Sequence, residues 1–264
     1  FQRKDSRQET YVMVRVRTRR EIELIAESAQ IVADTLDMLS TKVTSGVSLL
    51  ELDALAEEFI RSRGARPAFK GYMGFPATLC ISVNDEVVHG IPSNSKLLEG
   101  QIVGIDCGAE KNGYYGDSAR TFAIGNISDE NRDLMLTTEK ALTLGIEQAK
   151  PGNYVSDIGH AIQSFVEPKG FSIVRELVGH GIGTQLHEEP QVPNYGVPGM
   201  GDELKEGMCL AIEPMINCGR KEVYTAEDGW TIKTKDGYNS AHFEHTITIR
   251  ENGAEILSRS QLNG

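Results

Sequence analysis

The chain has 264 residues, of which 39% are hydrophobic and 25% charged, a composition typical of a globular protein that can bury a full core. Its 38 acidic and 27 basic residues give a formal net charge of -11, which disfavours binding to nucleic acid or to an anionic membrane. There is no run of about 18 apolar residues, no secretion signal and no metal-site or disulfide-scaffold spacing among the cysteines, so we predict a cytoplasmic protein with reduced thiols.

The first residues differ from the rest of the chain. Residue 1 is Phe, whereas Met13 opens the stretch MVRVRTRREIELI, which is typical of a protein start. We therefore predict that residues 1–14 are an N-terminal extension and that residues 15–264 form a single domain. The arginines between Arg15 and Arg20 are predicted to be a solvated run that leads into a helix, with a contact patch as the alternative.

Apolar residues that recur at steps of three and four predict four helices. The predicted helices span residues 19–40, 48–64, 128–149 and 156–168. The second has the clearest boundaries, because Ser48 and Glu51 form a capping box at its start and Gly64 follows its last turn. Strand-like segments follow each pair of helices, so the order of helix, helix and strands occurs twice.

The residues themselves also repeat between the two halves. Three positions of the first helical pair recur 106 residues later: Gly46 as Gly152, Phe59 as Phe165, and Gly64 as Gly170. Two further echoes follow in the same order. They are Ile105-Asp106 against Ile212-Glu213, and the histidine of 87–91 against the histidine of 178–182. Three matches in one order predict two similar α+β halves that face each other and share a central site.

Four acidic residues lie at the ends of predicted elements, where a buried and unpaired charge would be strongly unfavourable. They are Asp106, Asp117, Glu213 and Glu244, and His180 joins them at the end of another β-rich run. An oxygen-rich set with one imidazole suits two neighbouring divalent ions of the Mn, Fe, Co or Zn type better than one structural zinc. Taken singly, each acid has the alternative of a turn or cap residue. The repeat favours the metal interpretation, because Asp106 and Glu213 occupy equivalent positions.

The histidines carry weaker signals. The glycines on either side of His180 would let the backbone lie close to a ligand, although a loop histidine satisfied by backbone is an equal alternative. His89 and His187 lie near turns marked by proline, and taken alone each is predicted to be a surface or capping residue. We assign no catalytic role to His160 or His242.

Together these residues resemble the type I methionine aminopeptidases of the pita-bread metallopeptidase fold. The matching stretches are CISVN at 80–84, HGIP at 89–92, GID at 104–106, GD at 116–117, GHGIG at 179–183, HEEP at 187–190, IEP at 212–214 and FEHT at 243–246. They occur in family order and cover most of residues 15–258. The resemblance implies an α+β pita-bread fold with two pseudo-symmetric halves and a central antiparallel sheet backed by helices, and it makes residues 15–264 the catalytic domain.

The resemblance also implies the activity. It implies a hydrolase that removes the N-terminal initiator methionine from nascent polypeptides, with a preference for a small second residue. The reaction would be attack of a metal-bridging hydroxide on the first peptide bond. Two divalent ions per chain are implied, from among Co, Mn, Fe, Zn and Ni. The implied partners are nascent peptide N-termini, the implied state is a monomer, and a contact with the ribosome is left open.

The resemblance also implies a role for each of the five proposed metal ligands. Asp117 and Glu244 would bridge both ions, Asp106 would chelate one, and His180 with Glu213 would complete the other. Glu213 would also accept a proton during the reaction.

Substrate contacts are implied in the same way. His187 would contact the scissile peptide and stabilise the developing oxyanion, and His89 would hydrogen-bond the substrate and help the amide nitrogen leave. An apolar methionine pocket would be lined by Tyr72, Phe75, Cys80 and Trp230. For Tyr72 and Phe75, core packing is an equal alternative.

Three positions depart from the common family pattern, and all bear on the shape of the pocket. Phe75 stands where many relatives have Tyr, Leu186 where an aromatic residue is frequent, and His242 where Gln is common. Two other functions were weighed. A prolidase or proline-specific aminopeptidase would use the same five ligands but usually carries an additional N-terminal domain. An inactive homologue that binds protein or RNA would have lost ligands that this chain keeps.

Overall fold

The computed structural model describes residues 14–260, so the predicted N-terminal extension lies, except for Val14, outside the described residues. All four predicted helices are present. They are α1 (Arg19–Ser40), α2 (Leu49–Ser62), α3 (Asp129–Gln148) and α4 (Val155–Val166). None of the helices in the described part of the chain is long and apolar enough to cross a membrane.

The start of α2 confirms the predicted capping box. The backbone N–H of Glu51 donates to the Ser48 hydroxyl at 3.2 Å, and the Glu51 carboxylate accepts from the Ser48 N–H at 2.8 Å. The fourth helix begins slightly earlier than predicted, because Tyr154 rather than Ser156 occupies the N-cap position.

The described residues form fifteen strands, and two short 3-10 turns lie at Tyr72–Gly74 and Glu167–Lys169. The strands are β1 (Arg66–Pro67), β2 (Leu79–Val83), β3 (Glu86–Val88), β4 (Ile102–Lys111), β5 (Tyr114–Ala123), β6 (Ser172–Ile173), β7 (Gly179–Gly181), β8 (Glu188–Val192), β9 (Cys209–Ile212), β10 (Met215–Asn217), β11 (Val223–Thr225), β12 (Ile232–Thr234), β13 (Ser240–His242), β14 (His245–Arg250) and β15 (Gly253–Ile256).

These strands pair in antiparallel sheets that follow the two halves of the chain. In the first half β4 lies between β2 and β5, with β1 also paired to β4. In the second half the order is β15-β14-β9-β7-β8. Two three-stranded sheets, β13-β10-β6 and β11-β12-β3, complete the arrangement. The sheets confirm the predicted α+β class.

Each half has its own apolar core between helices and sheet. In the first half Leu36 of α1 and Leu52 of α2 belong to the same buried cluster as Ile105 of β4. In the second half Ile158 of α4 clusters with Leu210 of β9. The helices therefore cover one face of each sheet, as the amphipathic patterns predicted, and leave the other face for a shared site.

The repeat is visible in matching backbone contacts. The N–H of Gly46 donates to the carbonyl of Leu97 at 2.8 Å, and the N–H of Gly152 donates to the carbonyl of Leu204 at 3.1 Å. Both glycines have positive φ, +95° and +86°. Because glycine adopts positive φ without steric cost, the same turn requires the same residue in both halves.

One of the three predicted echoes is wrong. His180 lies within β7 and pairs with Ala211 of β9. The matching register in the first half pairs Ser82 of β2 with Gly104 of β4. His89 instead follows β3, which belongs to another sheet, and has a φ of +60°. The histidines match in sequence, but Ser82 is the structural equivalent of His180.

The prediction for the arginine run is also wrong at one position. Arg19 and Arg20 are exposed, as expected for a solvated run, with side chains 92% and 69% accessible. Arg17 is buried, with 6% of its surface accessible. It lies before the first turn of α1 and packs against the second half of the chain, where its N–H donates to the Gly207 carbonyl.

The two halves are joined at their inner strands. The N–H of Glu244 donates to the carbonyl of Ala119 at 2.9 Å, and the Ser118 hydroxyl donates to the carbonyl of Glu244 at 2.6 Å. The Thr246 hydroxyl donates to the carbonyl of Asp117 at 2.7 Å. These bonds fix Asp117 of one half beside Glu244 of the other.

The capping box of α2 gives a test of the fold. We expect Ser48→Ala to lower the free energy of unfolding by about 1 kcal/mol, because the N–H of Glu51 loses its partner at the helix start. Chemical unfolding of the metal-free protein measures the change. Ser62→Ala is the matched control, since its exposed hydroxyl lies at the other end of the same helix, and we expect a change within about 0.5 kcal/mol. Equal losses in the two variants would contradict the capping role.

Candidate metal centre

The first two acids of the site are positioned by the β4–β5 hairpin. Asp106 of β4 is opposite Ala119 of β5, and Gly108 is opposite Asp117. Paired residues share a face of the sheet, and alternate residues along one strand do so as well. Asp106 and Asp117 are therefore diagonal neighbours on the same face.

The other three residues come from the second half. His180 lies in β7, Glu213 follows the last residue of β9, and Glu244 lies in the short connection between β13 and β14. The ligand atoms of Asp117, His180 and Glu244 all lie within 4.8 Å of one another. His180 Nε2 lies 3.5 Å from Glu213 Oε1. The five predicted ligands thus line one cavity, which is also bordered by the predicted substrate residues.

Burial makes this group of acids electrostatically unfavourable by itself. Loss of solvent raises the pKa of Asp106 to about 7 and that of Glu213 to about 8. Burial first, and neighbouring carboxylates second, raise the pKa values of Asp117 and Glu244 well above their usual range. The protein alone therefore resists holding four ionised carboxylates at this place.

The hydrogen-bonding state of the site fits metal ligation. Asp106 Oδ1, Asp117 Oδ1 and Glu244 Oε1 are buried and have no hydrogen-bond partner in the protein. Buried polar atoms are nearly always satisfied, so three such oxygens on residues that line one cavity indicate a cationic ligand. Divalent cations would satisfy these oxygens and compensate their charge, and the residues therefore fit a metal centre.

His180 has the protonation state of a metal ligand. Its Nδ1 lies 2.8 Å from the carbonyl oxygen of Gly181, which can only accept, so Nδ1 carries the proton. Burial, followed by the electrostatic interaction with the His187 ring, lowers the pKa of His180 to about 3. The ring is therefore neutral near pH 7, and the lone pair of Nε2 is on the side of Glu213.

Glycine is required on both sides of His180, but not for the close approach to a ligand that we predicted. A Cβ on Gly179 would lie 2.4 Å from the carbonyl oxygen of Ala211, and one on Gly181 would lie 2.3 Å from that of Glu189. The close approach is to the neighbouring strands and not to a ligand. Glycine is needed here so that β7 can fit between β8 and β9.

His187 and His89 both line the cavity. The ring of His187 packs edge-on against His180, with centroids 4.3 Å apart, and its Nδ1 lies 2.8 Å from the Tyr72 hydroxyl oxygen. Desolvation and then the electrostatic interaction with the His89 ring lower the pKa of His187, and burial lowers that of His89 to about 4. Both rings are neutral near pH 7. His89 is half-buried, unlike the surface histidine that its motif alone indicated, whereas His187 is exposed beside the cavity, as its motif indicated.

The predicted pocket residues form the apolar end of the same cavity. Phe75 and Trp230 pack edge to face with ring centroids 5.2 Å apart, and Cys80 belongs to the same buried cluster. Tyr72 packs at the border of that cluster, so its hydroxyl reaches His187 while its ring contacts apolar residues. The cavity has a volume of about 200 Å³ and is lined both by the acids and by these side chains.

Sequence reasoning missed three residues near the site. Phe69 and Met73 line the cavity, and no pattern in their loop distinguishes them. His242, to which no role was assigned, is buried with its Nε2 3.6 Å from Glu213 Oε2. Its spacing of two from Glu244 was the available signal, because alternate residues of an extended chain lie on the same face.

The chain is similar to metallopeptidases over nearly its whole length. Residues 23–251 match the sequence model of metallopeptidase family M24. Methionine aminopeptidase 1 of Bacillus subtilis (strain 168) is 52% identical over 247 residues, which cover 94% of this chain and 100% of that protein.

Solved structures give the same relationship. The crystal structure of methionine aminopeptidase from Thermotoga maritima has a TM-score of 0.92 and 44% identity, and the match covers 94% of this chain and 100% of that one. Prolidase from Pyrococcus furiosus has a TM-score of 0.75 and 27% identity, and the match covers 93% of this chain but 66% of the prolidase. The pita-bread fold is therefore confirmed, and the similarity to the prolidase is the lower of the two.

Charge removal gives a test of the metal centre. We expect Glu244→Gln to weaken the binding of Mn²⁺ or Zn²⁺ at least about tenfold, measured by calorimetric titration of chelator-treated protein. In chelator the same variant should unfold at a higher temperature than the parent. The raised pKa of Glu244 means that folding near pH 7 requires proton uptake, and Gln removes this cost.

Glu251→Gln is the matched control, because it makes the same change at an exposed residue of the turn after β14. We expect it to alter neither cation affinity nor stability in chelator. A Glu244→Gln protein with unchanged affinity, or with lower stability in chelator, would contradict the proposed compensation of charge.

Proposed function

The chain belongs to metallopeptidase family M24, and from this premise we propose that it is a metal-dependent aminopeptidase that removes the initiator methionine from nascent polypeptides. The observation that carries the proposal is that two different clusters line one cavity. One consists of acids and neutral histidines, and the other is the apolar cluster that contains Phe75, Cys80 and Trp230. The first residue of a peptide has the matching character, because its amino group is cationic and a methionine side chain is apolar.

We propose that Asp106, Asp117, His180, Glu213 and Glu244 hold two divalent cations. Four carboxylates carry four negative charges when ionised, and two divalent cations compensate them with the neutral His180 as the only nitrogen ligand. A bound divalent cation lowers the pKa of water toward neutrality and polarises a carbonyl oxygen. The identity of the metal, from among Co, Mn, Fe, Zn and Ni, is left to the experiment below.

The pairing of β2 with β4 places the site for the substrate amine next to the site for the first side chain. Cys80 of β2 is directly opposite Asp106 of β4. A peptide whose amino group binds at Asp106 therefore begins its side chain next to Cys80, at the entrance to the pocket of Phe75 and Trp230. Aromatic rings around a thioether make favourable sulfur contacts, which supports methionine as the preferred first residue.

The remaining chain groups supply proton transfer and orientation. Glu213 lies between two imidazoles, with His180 Nε2 3.5 Å and His242 Nε2 3.6 Å from its carboxylate oxygens, and we assign it the role of proton acceptor. If the Tyr72 hydroxyl donates to His187 Nδ1, the proton of the neutral ring is on Nε2, where it can donate to the developing oxyanion. His89 is assigned the hydrogen bond to the substrate amide.

We further propose that residues 15–264 act as one catalytic domain and as a monomer. All five ligands and the pocket belong to one chain, and neither half contains the full set. The net charge of -11 supports nascent peptide N-termini as substrates, since their amino groups are cationic. The preference for a small second residue and a cytoplasmic location belong to the same proposal.

A peptide panel tests the function. The chelated protein is incubated with Met-Ala-Ser, Met-Leu-Ser and Xaa-Pro peptides, alone and after adding back each metal singly. We expect methionine to be released only when metal is present, and faster from Met-Ala-Ser than from Met-Leu-Ser. Cleavage confined to Xaa-Pro bonds would assign the chain to the prolidase activity, and a metal-loaded protein that never releases methionine would refute the proposal.

A pair of variants separates ligands from groups that act on substrate. We expect His187→Ala to lower kcat about 10²- to 10³-fold while bound metal is retained, because it removes a donor and leaves the ligands intact. Asp106→Asn should lose both turnover and bound metal. Elemental analysis of dialysed protein gives the metal content. Loss of the ions from His187→Ala would show that His187 is a ligand and that the assigned roles are wrong.

A further inference from the structure

The loop that carries His187 is closed by a single carboxylate. Glu188 Oε1 accepts from the N–H of Gln185 at 3.0 Å and from the hydroxyl of Thr184 at 3.1 Å. The turn from Thr184 to Glu188 encloses Leu186 and His187. The direction in which His187 leaves the backbone therefore depends on where the Glu188 carboxylate lies.

The second oxygen of this carboxylate is held by Arg17. Arg17 Nη2 donates to Glu188 Oε2, and the two side chains are 3% and 10% accessible. Arg17 Nη1 also lies 3.5 Å from Glu21 Oε1, in the first turn of α1. The guanidinium thus connects the start of α1 to the turn of His187, a contact between residues 171 positions apart.

The surrounding backbone is shaped for this guanidinium. A Cβ on Gly183 would lie 2.2 Å from Arg17 Nη2, and one on Gly207 would lie 2.8 Å from the Arg17 carbonyl oxygen. The N–H of Arg17 donates to the Gly207 carbonyl at 2.8 Å. Both the side chain and the backbone of Arg17 therefore occupy space that any other residue at positions 183 and 207 would fill.

A buried ion pair is weak evidence for a gain in stability, because desolvation of two charges offsets much of their attraction. The planar guanidinium does fix geometry, since its two terminal nitrogens contact two carboxylates at once, Glu188 through Nη2 and Glu21 through Nη1. The location of the pair matters more here than its strength. One side of the turn is fixed by Arg17, and on the other side the His187 ring contacts Tyr72 and His180.

We propose that Arg17 is a positioning residue for His187, which it orients through the Glu188 carboxylate. The inference rests on the role that the proposed function gives to His187. It also assigns a purpose to residues 14–18, the described residues before α1, none of which lines the cavity. A charge-preserving Lys cannot fully replace Arg17, because one ammonium lacks the two separate, coplanar donor nitrogens that contact Glu188 and Glu21.

Steady-state kinetics on Met-Ala-Ser with metal-loaded protein gives the first test. We expect Arg17→Gln and Glu188→Gln each to lower kcat about tenfold to a hundredfold, with KM changed less than about threefold, as for a displaced transition-state contact. Arg17→Lys should recover only part of the loss. Bound metal should be unchanged in all three. Wild-type kcat in both Gln variants, or loss of metal from them, would overturn the proposal.

A double-mutant cycle tests whether the effect passes through His187. In a His187→Ala background, Arg17→Gln should cause little further loss of kcat, since the group that it orients is absent. Losses that multiply independently would show a general structural effect and would overturn the proposal. Arg250→Gln is the matched control. It breaks the exposed pair of Arg250 with Glu255, at 2.6 Å, and should leave kcat unchanged.

Nitrogen NMR of histidine-labelled, zinc-loaded protein separates this proposal from the proposed function. The His187 ring signals are assigned by their absence in His187→Gln, and we expect them to shift or broaden in Arg17→Gln and not in Arg250→Gln. Unchanged His187 signals in Arg17→Gln and Glu188→Gln would refute the positioning role even if the enzyme releases methionine. Displaced signals in a protein without that activity would support the positioning role and refute only the function.

Discussion

Four carboxylates face one buried cavity, and their mutual repulsion is the constraint on which the rest of the structure depends. Burial and neighbouring charge raise the pKa values of Asp117 and Glu244 in particular. A cluster of this kind persists only if the scaffold is rigid and the charge is neutralised, either by a bound cation or by proton uptake. The rigid part is provided by the Ser118 and Thr246 hydroxyls, which bond the backbone of the opposite half beside these two acids.

The two-fold repeat explains how one chain assembles this cluster. A β-hairpin of the first half supplies Asp106 and Asp117, and the five-stranded sheet of the second half and its neighbouring connection supply the other three side chains. Neither half holds all five of these side chains by itself. The site therefore exists only where the halves meet, and contacts that set their relative position also set the geometry of the ligands. Arg17 extends this principle, since it lies before the first helix of one half and contacts a turn of the other.

Local signals in the sequence predicted the helices well, because a capping box such as Ser48 with Glu51 and a glycine such as Gly46 at positive φ act within a few residues. The convergence of distant acids was predicted from the repeat and the family resemblance. The predictions that were wrong concerned strand pairing and contacts between residues that are distant in sequence. Ser82, not His89, lies where His180 lies in the other half, and the burial of Arg17 depends on a contact far away in sequence. No local pattern records such contacts.

Burial determines which groups are charged around the cavity. It moves the acids and the histidines toward neutrality from opposite directions, raising the pKa of Glu213 to about 8 and lowering that of His180 to about 3. A charge of either sign is therefore unfavourable here unless a partner compensates it. A cation compensates the carboxylates, and the neutral histidines can donate or accept hydrogen bonds beside it without repelling its charge. Among the described residues, the apolar cluster that contains Phe75 and Trp230 has no charged member, so an uncharged side chain is the one that packs there most favourably.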